Sequence, residues 1–200
     1  MVNLSLIEQA LKDLMADQIK QKKWQWVREI KTYGGEFDDD ITVVIKCFPA
    51  IWITFDGSIT PKRISHNKTE YPVKFVVLVG AQSLRNEEAQ RQGAGADIGT
   101  YQMLDNVQRL LTNNDLSSVG LKGIAPLELG RTKTIFNTST RGQSISVLAQ
   151  EFKTQYVITA SDRDRTEADT EIEIHRINLD YYFDEHSNLK ESDLVELKAQ

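Results

Sequence analysis

The N-terminal segment repeats its apolar side chains with the period of an α-helix. These side chains recur three or four positions apart, at Leu4, Ile7, Leu11, Leu14 and Met15. Asn3 or Ser5 can cap the first turn, because a short polar side chain there accepts a hydrogen bond from a free backbone amide. The pattern predicts an amphipathic helix with one buried face.

A second helix is predicted between Gly99 and Thr112. Its apolar positions again keep helical spacing, at Met103, Leu104, Val107, Leu110 and Leu111. The segment DDDITVVIKCF (residues 38–48) is ambiguous, because its β-branched residues suit a strand while its apolar spacing and leading aspartates suit a helix. A short helix is the favoured interpretation of that segment.

Alternating and continuous apolar runs predict the strands. KWQWVREI (residues 23–30) and PAIWITFDG (residues 49–57) alternate, whereas VKFVVLVGAQ (residues 73–82) is almost continuously apolar, as in a central strand covered on both faces. The side chains predicted to share a face are Trp24, Trp26 and Ile30 in the first run and Ile51, Ile53 and Phe55 in the second, opposite Trp52. The basic connection SITPKRISHNKTEYP (residues 58–72) is predicted to be exposed and to join an antiparallel pair.

The later part of the chain also contains strand patterns. SISVLAQEFKTQYVIT (residues 144–159) predicts a long strand, with Leu148, Phe152, Tyr156 and Ile158 on one face. Residues 124–136 predict one or two short strands, residues 172–183 one more, and the charged C-terminal end a weak helix. This element order predicts an α+β fold, in which helices pack on a mixed or antiparallel β-sheet.

Charge divides the 200-residue chain into two parts. Residues 161–200 contain twelve acidic and five basic residues, a balance of −7, whereas the whole chain carries −5, which leaves +2 for residues 1–160. We therefore expect one domain at residues 1–160 and an acidic C-terminal extension at residues 161–200. A nearly neutral domain without a basic surface predicts no specific nucleic-acid binding.

Composition excludes several further classes of protein. The single cysteine, Cys47, precludes a disulfide within the chain and is predicted to be a small buried apolar side chain. The N-terminal segment has no signal-peptide pattern, and no apolar run reaches the roughly 20 residues of a membrane span. We therefore expect synthesis in a reducing cytoplasm and no membrane association.

The segment RQGAGADIGTY (residues 91–101) is the one glycine-rich stretch that resembles a nucleotide loop. A dinucleotide loop needs a buried strand directly before its glycines, but the preceding residues are polar, and no Lys-Ser or Lys-Thr follows as in a P-loop. The favoured hypothesis is a long polar loop from Arg85 to Ile98 that becomes ordered on assembly. Its candidate interface residues are Arg85, Arg91, Gly93, Gly95, Gly99 and Tyr101.

Several diffuse sequence features together resemble the Mu-like phage tail terminator family of contractile-tailed phages and prophages. They are PAIWITFDG, FVVLVGAQ, R-x-G, G-x-Y-x-x-L-D-x-V-x-x-L-L and a late F-x-T-x-Y, and the resemblance covers roughly residues 4–158. The matching positions are Pro49, Gly93, Gly99, Tyr101, Asp105 and Leu110. These are packing positions, and the acidic extension lies outside the pattern.

The resemblance implies a structural protein with a tail-terminator-like fold, not an enzyme, and without cofactor, catalytic residues or metal. Such a protein forms a sixfold ring that caps the tail tube, ends its growth and offers its other face to the neck. The implied partners are further copies of the chain, the tail tube protein, the sheath and the neck proteins. The implied location is the virion tail, after assembly in the host bacterial cytoplasm, with monomers in dilute solution.

Two alternatives remain open from the sequence. The protein can be a neck or head-completion adaptor, which partner binding would distinguish from a tail terminator. A more remote alternative is a small nucleotide- or metal-binding enzyme that uses the acidic residues Asp162, Asp164, Asp169 and Glu171. That segment lacks the glycine and the terminal glutamate of an EF-hand loop, so a solvated charged turn is favoured.

Overall fold

The computed structural model describes residues 2–35, 44, 46–82, 98–140, 143–160, 176–181 and 191–196. The chain forms two compact units, Met1–Ala160 and Ser161–Gln200. The described residues of the first unit include the α-helices Leu4–Lys20 and Thr100–Leu111 and a six-stranded sheet, which confirms the predicted α+β fold.

The strands of the first unit form one mixed sheet. They are β1 Glu29–Thr32, β2 Ala50–Ser58, β3 Lys62–Arg63, β4 Lys68–Gln82, β5 Glu128–Thr140 and β6 Gln143–Thr159. Their order is β1-β2-β4-β6-β5, and β3 pairs with the start of β4. β1 and β2 are parallel, and the other pairs are antiparallel, including the predicted pair of β2 and β4.

The two amphipathic helices predicted from apolar spacing are present. Helix α1 spans Leu4–Lys20, and the Asn3 side chain caps it by accepting a hydrogen bond from the backbone amide of Leu6 at 2.9 Å. Helix α2 spans Thr100–Leu111, and a short 3-10 turn, Ser117–Val119, follows it. Their apolar faces are buried, as their periodicity predicts.

The two helices cover one face of the sheet, which we call the helix-covered face. Its buried strand side chains are Ile51, Ile53, Val73, Phe75, Val77, Val79, Ala81, Leu148, Phe152 and Tyr156. Because alternate residues of a strand point to one side, Ile158 lies on the same side as Leu148, Phe152 and Tyr156, as predicted. Its side chain is 40% exposed, because it stands at the end of the sheet.

The other side of the sheet, which we call the opposite face, has a smaller core. Its buried members are Val44, Phe48, Ala50, Trp52, Leu78, Ile145, Val147 and Ala149. Gly80 lies against this cluster, and a Cβ at that position would come within 2.5 Å of Phe48 Cε1 and 2.9 Å of Trp52 Cζ3. Gly80 therefore leaves room for the rings of Phe48 and Trp52, which meet edge-to-face with their centroids 5.7 Å apart.

The strand predicted at residues 23–30 is wrong in its first half. The Val27 amide donates to the Trp24 carbonyl at 3.3 Å in a turn, and β1 begins only at Glu29. This i, i+3 geometry brings the buried side chains of Trp24 and Val27 into the same core, although a strand would place them on opposite faces. Most of residues 38–48, for which a short helix was predicted, lies outside the described residues, so that helix stays a prediction.

Strand lengths also differ from the predictions. β4 begins at Lys68 rather than at Val73, and β5 is one strand of 13 residues where one or two short strands were predicted. Backbone pairing with β6 decides both, because polar residues extend a strand when a neighbouring strand satisfies their amides and carbonyls. Cys47, predicted to be buried, is half-buried beside the opposite-face core.

The described residues of the second unit form an antiparallel pair of strands. β7 spans Arg176–Tyr181, within the predicted strand, and β8 spans Glu191–Glu196. They pair from Arg176 with Glu196 to Tyr181 with Glu191. The weak helix predicted for the C-terminal end is therefore wrong over β8, where the pairing partner, and not local spacing, determines the conformation.

Candidate assembly surface

The predicted assembly loop lies mostly outside the described residues. Arg85, Arg91, Gly93 and Gly95 fall in that segment, and their predicted roles stay predictions. The next described residue is Ile98, which is half-buried and packs against the core of the helix-covered face. The alternative acidic residues Asp162, Asp164, Asp169 and Glu171 also lie outside the described residues.

Gly99 and Tyr101, the last two residues of the candidate loop, begin helix α2. Gly99 is the N-cap and has extended backbone angles (φ −87°), so it needs no left-handed conformation there. Between them, the buried Thr100 hydroxyl lies 2.9 Å from the Ser146 hydroxyl of β6. This contact fixes the start of α2 against the sheet and directs Tyr101 outward, with 48% of its surface exposed.

The outer face of α2 brings together two of the positions that carry the family resemblance. Tyr101 and Asp105 are four residues apart and both exposed, and Asp105 pairs with Arg109 at 2.8 Å. Leu110 is half-buried and packs against the core instead. Pro49 lies on a different element, at the start of β2, after a cis peptide bond from Phe48.

Polar side chains of β6 fasten α2 and the edge strand β5 to the sheet. The buried Gln150 side chain accepts hydrogen bonds from Gln108 Nε2 at 2.7 Å and Thr132 Oγ1 at 2.6 Å. Its own Nε2 donates to the backbone carbonyls of Gly130 and Glu151, at 3.0 and 2.9 Å. All its hydrogen-bonding groups are therefore satisfied, and they hold α2 in register with β5 and β6.

An ion-pair group interrupts the opposite face beyond its apolar core. Lys74 and Lys153 stand directly opposite each other on β4 and β6, an arrangement that repels on its own. The Glu151 carboxylate lies 4.0 Å from Lys74 Nζ and 3.7 Å from Lys153 Nζ, and Asp56 lies 3.4 Å from Lys74 Nζ. These carboxylates neutralise the two cations.

A bulge in β5 makes room for the buried Glu151 side chain. The pairing of β5 with β6 shifts register between Leu129 and Thr132. A Cβ on Gly130, within this bulge, would lie 2.8 Å from Glu151 Oε1. The ion-pair group was not predicted from the sequence, although a lysine and a glutamate inside two apolar strand patterns were the available signal.

Two shallow clefts flank the ion-pair group. One, of about 170 Å³, is lined by Ile59, Pro72, Ala125, Pro126, Glu128, Lys153, Thr154 and Gln155. The other, of about 110 Å³, is lined by Asp56, Val76, Arg131, Lys133, Ile135, Ala149 and Glu151. Ligand pockets usually measure about 300–1,000 Å³, so each cleft is too small for a nucleotide.

Few titratable groups have shifted pKa values. A hydrogen bond from Lys31 lowers the pKa of the Glu29 carboxyl on β1, and a weaker one from Cys47 adds to it against the effect of burial. Burial raises the pKa of the Tyr156 phenol. Hydrogen bonds from Ser117 lower the pKa of Asp115 in the turn after α2. Each shift has a local structural cause, and these groups do not form a proton-transfer pair with one another.

Metal-binding clusters and membrane-spanning helices are both absent from the described ranges. There, no group of three or more histidine, cysteine, aspartate and glutamate side chains is arranged to hold a metal ion. None of the helices described is long and apolar enough to cross a membrane.

Comparison with known proteins identifies the family. No curated protein matches the sequence. The family model described as "Bacteriophage Mu, Gp37" matches residues 3–157, which include both helices and nearly the whole main sheet. The chain therefore belongs to the bacteriophage Mu Gp37 family and is, at that level, a structural protein of Mu-like phages.

Proposed function

We propose that this protein ends the growth of the phage tail tube. Six copies form a ring on the last ring of tube subunits, and the other side of the ring faces the neck. The single observation that carries the proposal is the family match, because it spans nearly all of the α+β unit. A ring of this kind uses a head-to-tail interface, in which each subunit presents two different surfaces.

The geometry of α2 supports an assembly role. Tyr101 exposes an aromatic side chain at the point where the predicted assembly loop joins the helix, and the Thr100–Ser146 contact holds that point rigidly. Exposed tyrosines on rigid elements are common in protein interfaces, because they bury a large area at low entropic cost. We place one side of the subunit interface on Tyr101 and the loop before it.

Tail length in a phage that lacks this protein tests the proposal. Removal of a tail terminator is expected to give tubes of irregular, excessive length by electron microscopy, and the protein supplied in trans should restore one length. Tails of normal length that fail to join heads would contradict the proposal and indicate a neck adaptor.

A variant of the interface sharpens the same test. Tyr101→Glu is expected to leave the subunit folded but to prevent rings, measured as mass by light scattering at high protein concentration and on added tubes. Gln102→Glu is the matched control, since Gln102 is the next exposed residue of the same helix and makes the same charge change. Equal ring formation by both variants would exclude Tyr101 from the interface.

A further inference from the structure

The end of the sheet farthest from Phe48 carries an exposed patch that the proposed ring interface does not use. We call it the sheet-tip patch, and it consists of Ile59, Ile64, Val157, Ile158, Lys62, Arg63 and Lys68. It is formed by β3, the start of β4, the end of β6 and the single residues that follow β2 and β3. We propose that the sheet-tip patch docks onto an acidic protein surface, which under the proposed function belongs to the subunits at the tube end.

The residues of the patch from β3 and β6 lie in two rows across three strands, one row on each side of the sheet. Arg63 pairs with Thr69, which pairs with Ile158, and on the other side of the sheet Lys62, Glu70 and Val157 form the same kind of row. Residues in such rows lie about 5 Å apart across each strand pair and contact one another. Each side of the tip therefore presents one basic and one aliphatic residue, with Thr69 between them on one side and Glu70 between them on the other.

Backbone hydrogen bonds hold this end of the sheet in shape. The Ile64 amide donates to the Lys68 carbonyl at 2.9 Å, and the Ile59 amide donates to the Pro72 carbonyl at 3.0 Å. The Ala160 amide also donates to the Asn67 carbonyl at 2.7 Å, which ties the end of β6 to the turn before β4. A partner would therefore meet a surface that is already ordered, and binding would cost little conformational entropy.

The aliphatic side chains of the patch are unusually exposed. Ile59 is 44% exposed, Ile64 54%, Val157 42% and Ile158 40%. Single exposed aliphatic residues are ordinary, but four at one end of a sheet, two on β6 and two directly after β2 and β3, are typical of a protein interaction site when polar groups rim them. Burial of these groups against a partner would supply the apolar part of the binding free energy.

The charge of the patch specifies the partner. Lys62, Arg63 and Lys68 are exposed, and in the described residues none of them forms an ion pair; Arg63 donates to the carbonyls of Ser65 and His66 instead. The nearby Glu70 carboxylate accepts a hydrogen bond from Gln155 at 2.8 Å. Three uncompensated cations around aliphatic groups fit carboxylates that surround an apolar contact.

The same features disfavour nucleic acid and lipid. Single-stranded nucleic acid is held by exposed aromatic side chains that stack on bases, and the patch contains none. Binding at a membrane surface typically uses an amphipathic helix with aromatic or leucine anchors, whereas these side chains stand on strands or directly after them. An acidic protein surface remains the best match.

Binding of the full-length protein to purified tail tubes tests the inference. The variant Lys62→Glu/Arg63→Glu is expected to bind tubes at least tenfold more weakly, with a smaller salt dependence than the native protein. Lys22→Glu/Lys23→Glu is the matched control, because it changes two adjacent exposed lysines, also without ion pairs in the described residues, by the same total charge. The control should bind as the native protein does.

A third variant separates the apolar contribution. Ile64→Ser is expected to weaken tube binding several-fold while leaving the salt dependence unchanged, since it removes apolar area and no charge. Circular dichroism and thermal melting check that each variant is folded, and ring mass by light scattering checks that self-assembly is intact.

The possible outcomes separate the two proposals. Native tube binding that neither tip variant weakens overturns the sheet-tip inference and leaves the proposed function standing. Absence of native binding to tubes overturns the proposed function and the tip inference together. Tip-dependent binding to double-stranded DNA or to phosphatidylserine vesicles, stronger than to tubes, would overturn the choice of a protein partner.

Discussion

The two faces of the main sheet are stabilised in different ways. The helix-covered face buries aliphatic and aromatic side chains along almost its full length, and its buried polar groups, such as Gln150, have hydrogen-bonding partners within the fold. The opposite face buries an aromatic cluster around Trp52 at one end and carries the Lys74–Glu151–Lys153 group at the other.

This difference gives the two faces different roles: the helix-covered face is mostly buried, whereas part of the opposite face stays accessible to solvent. Apolar burial contributes roughly 25 cal/mol per Å², so the helix-covered face supplies most of the folding free energy. The ion pairs of the opposite face join the buried Glu151 to lysines whose side chains are 25% and 42% exposed, so they add less stability than apolar burial and leave the lysines within reach of water and partners. We expect substitutions on the helix-covered face to reduce the stability of the fold. Most substitutions at the polar end of the opposite face should change binding, or should change neither binding nor stability.

The largest expected effect is that of Phe152→Ala on the helix-covered face. Phe152 is fully buried on β6, and its removal should cost about 3–5 kcal/mol of unfolding free energy, because a cavity remains. The control is Lys153→Ala, one residue along on the opposite face, which should cost less than about 1 kcal/mol. Urea denaturation of both variants measures the difference, and similar losses would contradict the contrast between the faces.

Gly80→Ala tests the aromatic end of the opposite face. The added Cβ would lie within 3 Å of Phe48 and Trp52, and such overpacking costs about 1–3 kcal/mol. If crowding is the cause, the double variant Gly80→Ala/Phe48→Leu should lose less stability than the sum of the two single variants. Additive losses in the denaturation midpoints would mean that the alanine acts on the backbone and not on these rings.

The next-largest effect on stability is expected at Gln150, the buried polar side chain of the helix-covered face whose hydrogen-bonding groups are all satisfied. Gln150→Ala leaves Gln108 and Thr132 without their acceptor and should cost about 1–3 kcal/mol. Hydrogen exchange should then rise in α2 and β5 more than in α1, because Gln150 connects only the former two to β6. The control Gln155→Ala removes a hydrogen bond to Glu70 at the half-buried end of the strand and should cost less. Uniform exchange changes would show that Gln150 has no such local role.

The smallest effect concerns the edge of the opposite face. The pKa of Glu29 is lowered in the folded state, mainly by Lys31, so its contribution to stability is present above the unfolded pKa, near 4.5, and is lost as the pH falls through the folded value. Glu29→Gln should reduce stability by a few tenths of a kcal/mol at neutral pH, the size of a surface ion pair, and the difference should vanish in acid. Thermal melting of both proteins from neutral to acidic pH measures this, and a pH-independent difference would assign the effect to packing.

Much of the first unit was predictable from local pattern. Periodicity located α1 and α2, because an amphipathic sequence buries its apolar side in whichever fold it enters, and an almost continuous apolar run located the later part of β4. Periodicity also placed Leu148, Phe152 and Tyr156 on one face of β6. Among the candidate interface residues, Gly99 and Tyr101 lie at the start of α2, where the helix was predicted to begin, and their role in an interface stays a prediction.

Other features depended on contacts between segments distant in sequence. Whether Trp24 and Val27 lie in a strand or a turn, and how far β5 extends, was decided by the backbone partners available to each segment. The ion-pair group and the sheet-tip patch each combine residues from different strands, so no single stretch of sequence contains them.

The sequence by itself therefore determined the fold class, the positions of the two helices and the inward sides of the central strands, since these follow from the spacing of apolar residues along each element. Only the tertiary structure decided which charges neutralise one another and which aliphatic side chains stay exposed. The physical reason is that both properties depend on cross-strand register, and a shift of one residue in that register moves every side chain of a strand to the other face.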